Sequence, residues 1–315
     1  MFSYEREQKV CTIGSVKVGG QPGENPPLLI GNMFQKGDVL LESRKGGKFD
    51  RNAAKERIRE VEKLSEETGI PALVAMVANV EEEIKAYIDF YVSVTSMPFA
   101  IDIWQQKTRL AAARYVAEKK LQDRCLYNSI TPWDEDIAAQ VTELKDLGIK
   151  HVVVQVFDMQ DKRPTGRVTS LKSLLPIVEK GTFESILVDT AVMNLPAIAF
   201  SLVANYLIKK EFGLPAGCAP ANGTYMWRKN VVEQSRNKFP AIDAGVHAIA
   251  ALASDFLFYG PLTGTARVFP AVAAAASIAA AAAYDDRAYL PMGNHPLNLL
   301  FPDVVKQFQE EKGAT

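Results

Sequence analysis

The stretch Ser185-Ile186-Leu187-Val188-Asp189-Thr190-Ala191-Val192 reads as a strand and the turn that leaves it. Ile186, Leu187 and Val188 are apolar and consecutive, without helical spacing, and the run stops on an acid. A strand covered on both faces needs such a run, and its polar residue falls where the chain leaves the core. The pattern recurs in FAID ending at Asp102, CLYN ending at Asn128 and HVVVQVFD ending at Asp158. In parallel α/β proteins the C-terminal ends of the strands open on one face, where ligand sites collect. Any single Asp or Asn of this kind is equally a helix N-cap. The repetition is what points to a rim.

Working outward, strands are predicted over 28–33, 72–78, 99–102, 125–130, 151–157, 185–189, 216–218 and 255–259. Helical patterns lie between them, over 50–67 with Asp50 as N-cap, 81–94, 105–120, 133–147, 170–180, 196–212, 224–237, 244–253 and 270–283. Eight strands, each followed by a helix, imply a closed (β/α)8 TIM barrel; a doubly wound open sheet is the other topology that this alternation permits. The Gly/Pro-rich VKVGGQPGENPP follows a short alternating segment, so 1–27 is expected to form a hairpin or cap. With no visible linker, 1–283 reads as one barrel including that cap, and 284–315 as a C-terminal extension on the same domain.

Composition narrows the function. Lys and Arg number 36 against 37 Asp and Glu, so no field attracts nucleic acid or an anionic membrane. Cys11, Cys125 and Cys218 are scattered and odd in number, which predicts a reducing, cytoplasmic setting. His151, His247 and His295 make no pair at metal-ligand spacing, so no protein-bound metal is expected. The first ten residues lack an apolar signal region. The run Ala271–Ala283 is too short to span a bilayer and is expected to pack on the sheet or on another subunit. Phosphate-loop, nucleophile-elbow and dinucleotide motifs are missing, and Lys107, Arg109 and Lys119 read as a solvated helix face. What remains is the rim set Asp102, Asn128, Asp158, Asp189 and Asn222, the last inside the glycine-bearing AGCAPANG, where backbone could approach a ligand closely. Carboxylates accept and amides donate and accept, which suits the guanidine-like edge of a pterin.

The combination IDIW, LYNSI (126–130), LVDTAV (187–192), GLP (213–215) and AGCAPANG, with GGQPGE at 19–24 and DFLFYGP at 255–261, resembles the pterin-binding methyltransferases. It is most similar to the family of the tetrahydromethanopterin S-methyltransferase H subunit, in the branch of methylcobalamin:tetrahydrofolate methyltransferases of glycine betaine metabolism. The resemblance covers about residues 10–283. It implies a (β/α)8 barrel, a homodimer, and methyl transfer from methylcobalamin on a separate corrinoid protein to N5 of tetrahydrofolate, giving 5-methyltetrahydrofolate. By resemblance, Asp102, Asn128 and Asp189 hold the pyrimidine edge of the pterin, and Asn222 stands near N5 as the catalytic amide. Asp158 has no role in the family pattern and reads as a cap or supporting residue. The family carries Asp-Ser-Thr after the third strand where this chain has Asp102-Ile103-Trp104. Trp104 therefore either forms a wall for the pterin or corrinoid, or packs beneath its loop. Three alternatives stay open: a tetrahydromethanopterin methyltransferase subunit of a larger complex, a scaffold subunit without catalysis, and a dihydropteroate-synthase-like enzyme, whose pyrophosphate would need a basic group such as Lys36, Arg44 and Lys45.

Overall fold

A computed structural model describes residues 3–43, 46–231 and 233–313. Eight strands close a barrel: β1 (Leu28–Met33), β2 (Ala72–Val77), β3 (Phe99–Asp102), β4 (Cys125–Ile130), β5 (His151–Gln155), β6 (Ser185–Asp189), β7 (Ala216–Cys218) and β8 (Phe256–Pro261). Each strand pairs in parallel with its neighbours in chain order, and β8 returns to β1. The (β/α)8 expectation holds, and the open-sheet topology is excluded.

Around the barrel run α1 (Arg51–Thr68), α2 (Glu81–Val94), α3 (Gln106–Glu118), α4 (Ile137–Asp146), α5 (Pro164–Val178), α6 (Ile198–Phe212), α7 (Pro220–Asn230), α8 (Phe239–Ala251) and α9 (Thr265–Arg287). Asp50 caps α1 as expected, its carboxylate accepting from the N–H groups of Asn52 and Ala53. Five starts, those of α4, α5, α7, α8 and α9, differ from the sequence reading by four residues or more. Helix α5 opens at Pro164 and α7 at Pro220, because proline in the first turn gives up no hydrogen bond and presets φ. Asn222 thus lies in the first turn of a helix rather than in a loop. Helix α4 begins only at Ile137, capped by Asp136, which releases Asp134 for another partner.

The alternation of side chains along each strand sorts the core into two. Leu28, Ile30, Leu73, Ala75, Ala100, Leu126, Val153, Leu187, Phe256 and Phe258 pack on one another inside the barrel. Their neighbours Leu29, Val74, Met76, Ile101, Val152, Val154 and Val188 face the helices. Cys11, Ile13 and Val18, from a hairpin of Val10–Ile13 and Val16–Gly19, join the interior cluster and plug the N-terminal end. The expected cap is there. A second hairpin, Leu41–Ser43 with Lys48–Phe49, precedes α1; Arg44 and Lys45 lie outside the described residues.

The alanine-rich helix α9 is long and apolar enough to cross a bilayer, yet Val268, Phe269, Val272, Ala273, Ala276 and Ala280 are buried within the fold. Its small side chains seat the Gly-rich turn of the N-terminal cap. Gly23, at φ 78°, sits so close that a Cβ there would lie 2.7 Å from the Ala279 carbonyl oxygen. Beyond α9, two helices, α10 (Pro296–Leu300) and α11 (Pro302–Gly313), complete the C-terminal segment, with Phe308 stacked on Tyr284 at 4.3 Å.

Gly217 and Gly223 serve packing rather than close approach to a ligand. A Cβ at Gly217 would fall 2.1 Å from the Phe256 carbonyl oxygen on the next strand, and one at Gly223 would meet the backbone of Leu195 at 3.0 Å. The obstacle at Gly217 is backbone and cannot swing aside. Gly217→Ala is therefore expected to lower stability by about 1–3 kcal/mol in urea unfolding, the usual range for overpacking a core.

Candidate functional site

The interior side chains set the position of the site. Two residues beyond Ile30, Ala100, Leu126, Val153 and Leu187, on the same inward face, stand Asn32, Asp102, Asn128, Gln155 and Asp189. Strand register aligns them: Asp102 pairs with Asn128 across β3 and β4, and Gln155 with Asp189 across β5 and β6. The apolar interior thus ends in a polar layer at the C-terminal mouth.

Hydrogen bonds tie this layer together. Asn32 Nδ2 donates to Asp102 Oδ2 at 2.8 Å, and Asn128 Nδ2 donates to Asp102 Oδ1 at 3.1 Å. Gln155 Nε2 donates to Asp189 Oδ2 at 3.0 Å, and the Ala191 N–H to Asp189 Oδ1 at 3.0 Å. A carboxylate offers about four lone-pair sites, so each acid keeps acceptor capacity for a ligand. Desolvation pushes the Asp102 carboxyl up to about 6; the bonds from Asn32 and Asn128 oppose the shift and the charge of Asp189 adds to it. Burial also raises Asp189, against the bonds from Ala191 and Gln155. Two desolvated carboxyl groups in one cavity favour a ligand that presents several N–H donors or a positive charge.

Two buried guanidinium groups brace the strand ends that carry these acids. Arg109, 2% exposed, donates from Nη1 to the carbonyls of Ile103 (2.7 Å) and Trp104 (3.0 Å), just past Asp102. Its Nη2 grips both oxygens of Asp134 at 2.8 and 2.7 Å, and its Nε donates to the Tyr127 hydroxyl at 3.0 Å. Arg167, fully buried, donates to the carbonyls of Thr190 and Ala191 (2.9 Å for the latter), just past Asp189. The sequence reading of Arg109 as part of a solvated face is corrected. Lys107 and Lys119 are exposed, but Arg109 sits in the first turn of α3, where the helix meets the rim and its side chain turns inward.

The cavity above the polar layer measures about 680 Å³. Asn32, Asp102, Asn128, Gln155 and Asp189 line it, with Asn222, Tyr225 and Met226 from α7 and Trp104 and Trp133 at the mouth. Four of the sequence-predicted residues, Asp102, Asn128, Asp189 and Asn222, therefore share one cavity. Asp158 is not among its lining residues; its carboxylate accepts from the Gln160 N–H at 2.8 Å in a local turn. Trp104 is exposed, not packed beneath its loop. Asn32 and Gln155 escape the sequence reading, although each is the lone amide in an apolar strand run, on the inward parity.

The fold and the site together define a (β/α)8 barrel with a carboxylate-and-amide layer at its mouth. Two dihydropteroate synthases share the fold, that of Xanthomonas albilineans at TM-score 0.59 and 14% identity and that of Yersinia pestis at TM-score 0.59 and 12% identity, over 86% and 87% of this chain and 98% and 100% of theirs. The family described as the tetrahydromethanopterin S-methyltransferase MtrH subunit matches residues 6–289. Relatives include the tetrahydromethanopterin S-methyltransferase H subunits of Methanothermobacter thermautotrophicus (31% identical, 94% of this chain and 98% of the relative) and of Methanocaldococcus jannaschii (32% identical, 95% and 100%). The chain belongs to this family of methyltransferases.

Removing a buried guanidinium leaves its partner's charge uncompensated. Arg109→Ala is expected to cost about 3–5 kcal/mol in denaturant unfolding, because Asp134 would remain buried and unpaired. Arg109→Lys should recover only part of this, since one ammonium cannot reproduce the forked contacts.

Proposed function

We propose that this chain moves a methyl group from a methylated corrinoid, carried by a separate protein, to N5 of tetrahydrofolate, giving 5-methyltetrahydrofolate. The observation that carries the reading is the polar layer, two desolvated carboxyl groups with spare lone pairs, in a chain of a methyltransferase family. The residues fit a pterin: Asp102 and Asp189 would accept from its ring N–H and amino groups, and Asn128 would add an amide. When docked, the corrinoid supplies a methyl group on cobalt, and cobalt keeps the bonding electrons as N5 takes the carbon. Such a displacement needs placement more than acid–base help, since effective molarity can supply several orders of magnitude. Asn222, exposed on the first turn of α7, would lie beside N5. An amide can follow that nitrogen through its changes of substitution without titrating, and the released proton passes to solvent at the open mouth.

The preference for tetrahydrofolate rests on the resemblance to the glycine betaine branch. The relatives' names favour a second reading, tetrahydromethanopterin as the acceptor or donor within a larger assembly. A dihydropteroate-synthase-like activity has less support, because Lys36 does not line the cavity. We place the protein in the cytoplasm and read 1–283 as one pterin-binding domain with 284–315 as its extension. A homodimer is supported by a groove of about 590 Å³ edged by the exposed Val203, Tyr206 and Leu252 of α6 and the end of α8.

Calorimetric titration with tetrahydrofolate tests the reading. Wild type should bind saturably, and Asp189→Ala should weaken binding by about 2 kcal/mol, roughly thirtyfold. Binding of tetrahydromethanopterin alone would establish the second reading, and equal binding of tetrahydrofolate by both proteins would overturn the placement of the pterin. Asn222→Ala should lower kcat for methylcobalamin-dependent turnover far more than it changes binding. The pH profile carries its own sign. Since the ligand's N–H groups need ionised Asp102, with its carboxyl near 6, affinity should hold above about pH 6 and fall on acidification below it, by up to about tenfold per pH unit. In Asp102→Asn that fall should flatten.

A further inference from the structure

Trp104 and Trp133 are the most conspicuous side chains that the proposed chemistry leaves without work. They come from different loops, after β3 and after β4, yet their rings stack with centroids 6.0 Å apart and planes inclined by 29°. Trp104 is 78% exposed and Trp133 45% exposed. Stacking two large aromatic rings removes part of their apolar surface from water, and the faces that stay exposed favour a flat apolar group that covers them. The arrangement is built from beneath. Arg109 fixes the Trp104 carbonyl with one nitrogen and grips Asp134, the neighbour of Trp133, with another. Asp134 in turn accepts from the Thr131 N–H at 3.0 Å, closing the second loop. A single buried guanidinium therefore ties both tryptophan-bearing loops to one geometry.

Both rings line the cavity whose floor is Asp102 and Asn128, and Trp104 is two residues past Asp102. A pterin bound by its pyrimidine edge at the floor directs its other end outward, and in tetrahydrofolate that end carries an arylamine ring. We propose that Trp104 and Trp133 form a stacking platform for the arylamine ring of the pterin substrate. The platform adds affinity from the part of the substrate that does not react, and it sets the angle at which the pterin leaves the floor. It rests on the pterin reading of the site.

The test compares tetrahydrofolate with 6-methyltetrahydropterin, which keeps the pyrimidine edge and lacks the aryl ring, on wild type, Trp104→Ala, Trp133→Ala and Trp104→Phe. Each alanine variant should bind tetrahydrofolate about tenfold more weakly, in line with the loss of one aromatic stack. All variants should bind 6-methyltetrahydropterin within about twofold of wild type, and Trp104→Phe should keep most of the affinity for tetrahydrofolate. Unchanged tetrahydrofolate binding in both alanine variants would overturn the platform, and so would an equal loss for both ligands. Unchanged binding with slower methyl transfer would assign the pair to the corrinoid partner and also overturn it. Should wild type bind neither ligand, the pterin reading falls as well, whereas loss of the platform alone leaves 6-methyltetrahydropterin binding intact.

Discussion

Two guanidinium groups buried under the mouth of the barrel hold the site in shape. Arg109 and Arg167 each reach from the first turns of a helix to the carbonyls just past an acidic strand end, one behind Asp102 and the other behind Asp189. Carbonyls at strand ends would otherwise need solvent, and a loop that needs solvent cannot also line a tight cavity. The guanidinium fork satisfies several acceptors at once in a plane. The two braces are not alike. Arg109 has an acid beside it in Asp134, while the hydrogen bonds of Arg167 run to backbone carbonyls, including Lys162 at 2.7 Å.

That bracing explains how two carboxyl groups can be kept short of water without collapse of the rim. Asp102 and Asp189 are both pushed toward their neutral forms by burial, and amide and N–H donors, with the charges of Arg109 and Arg167 behind them, soften the effect. Such a floor is electrostatically unsatisfied. A donor-rich ligand relieves it, and the protein need not rearrange to receive one, which is the condition for preorganised binding.

Much of this is legible in the chain, for reasons that can be named. Barrel strands buried on both faces must be apolar runs, so all eight show themselves, and the acids at 102 and 189 stand out as terminators. Asn32 and Gln155 escape because each lies within a strand run, not at its punctuation; only the inward parity with Ile30 and Val153 marks them. Arg109 escapes because α3 is studded with charge, and helical spacing alone does not say which charged residue meets the rim. Residues 219–223 read as a loop from their Pro, Asn and Gly, yet the same proline serves as a helix opener. The stacking of Trp104 on Trp133 is beyond reach, since contact between two loops depends on the ion pair that joins them.

The hairpin of Val10–Ile13 and Val16–Gly19 does more than shield apolar surface. By adding Ile13 and Val18 to the apolar side chains that fill the barrel, it seals the far end beneath the polar layer and leaves a blind cup with one entrance. Two reactants of unequal size that share one entrance are forced into an order. The small one must be seated before the large one closes over it, and must wait for the large one to withdraw before it can leave.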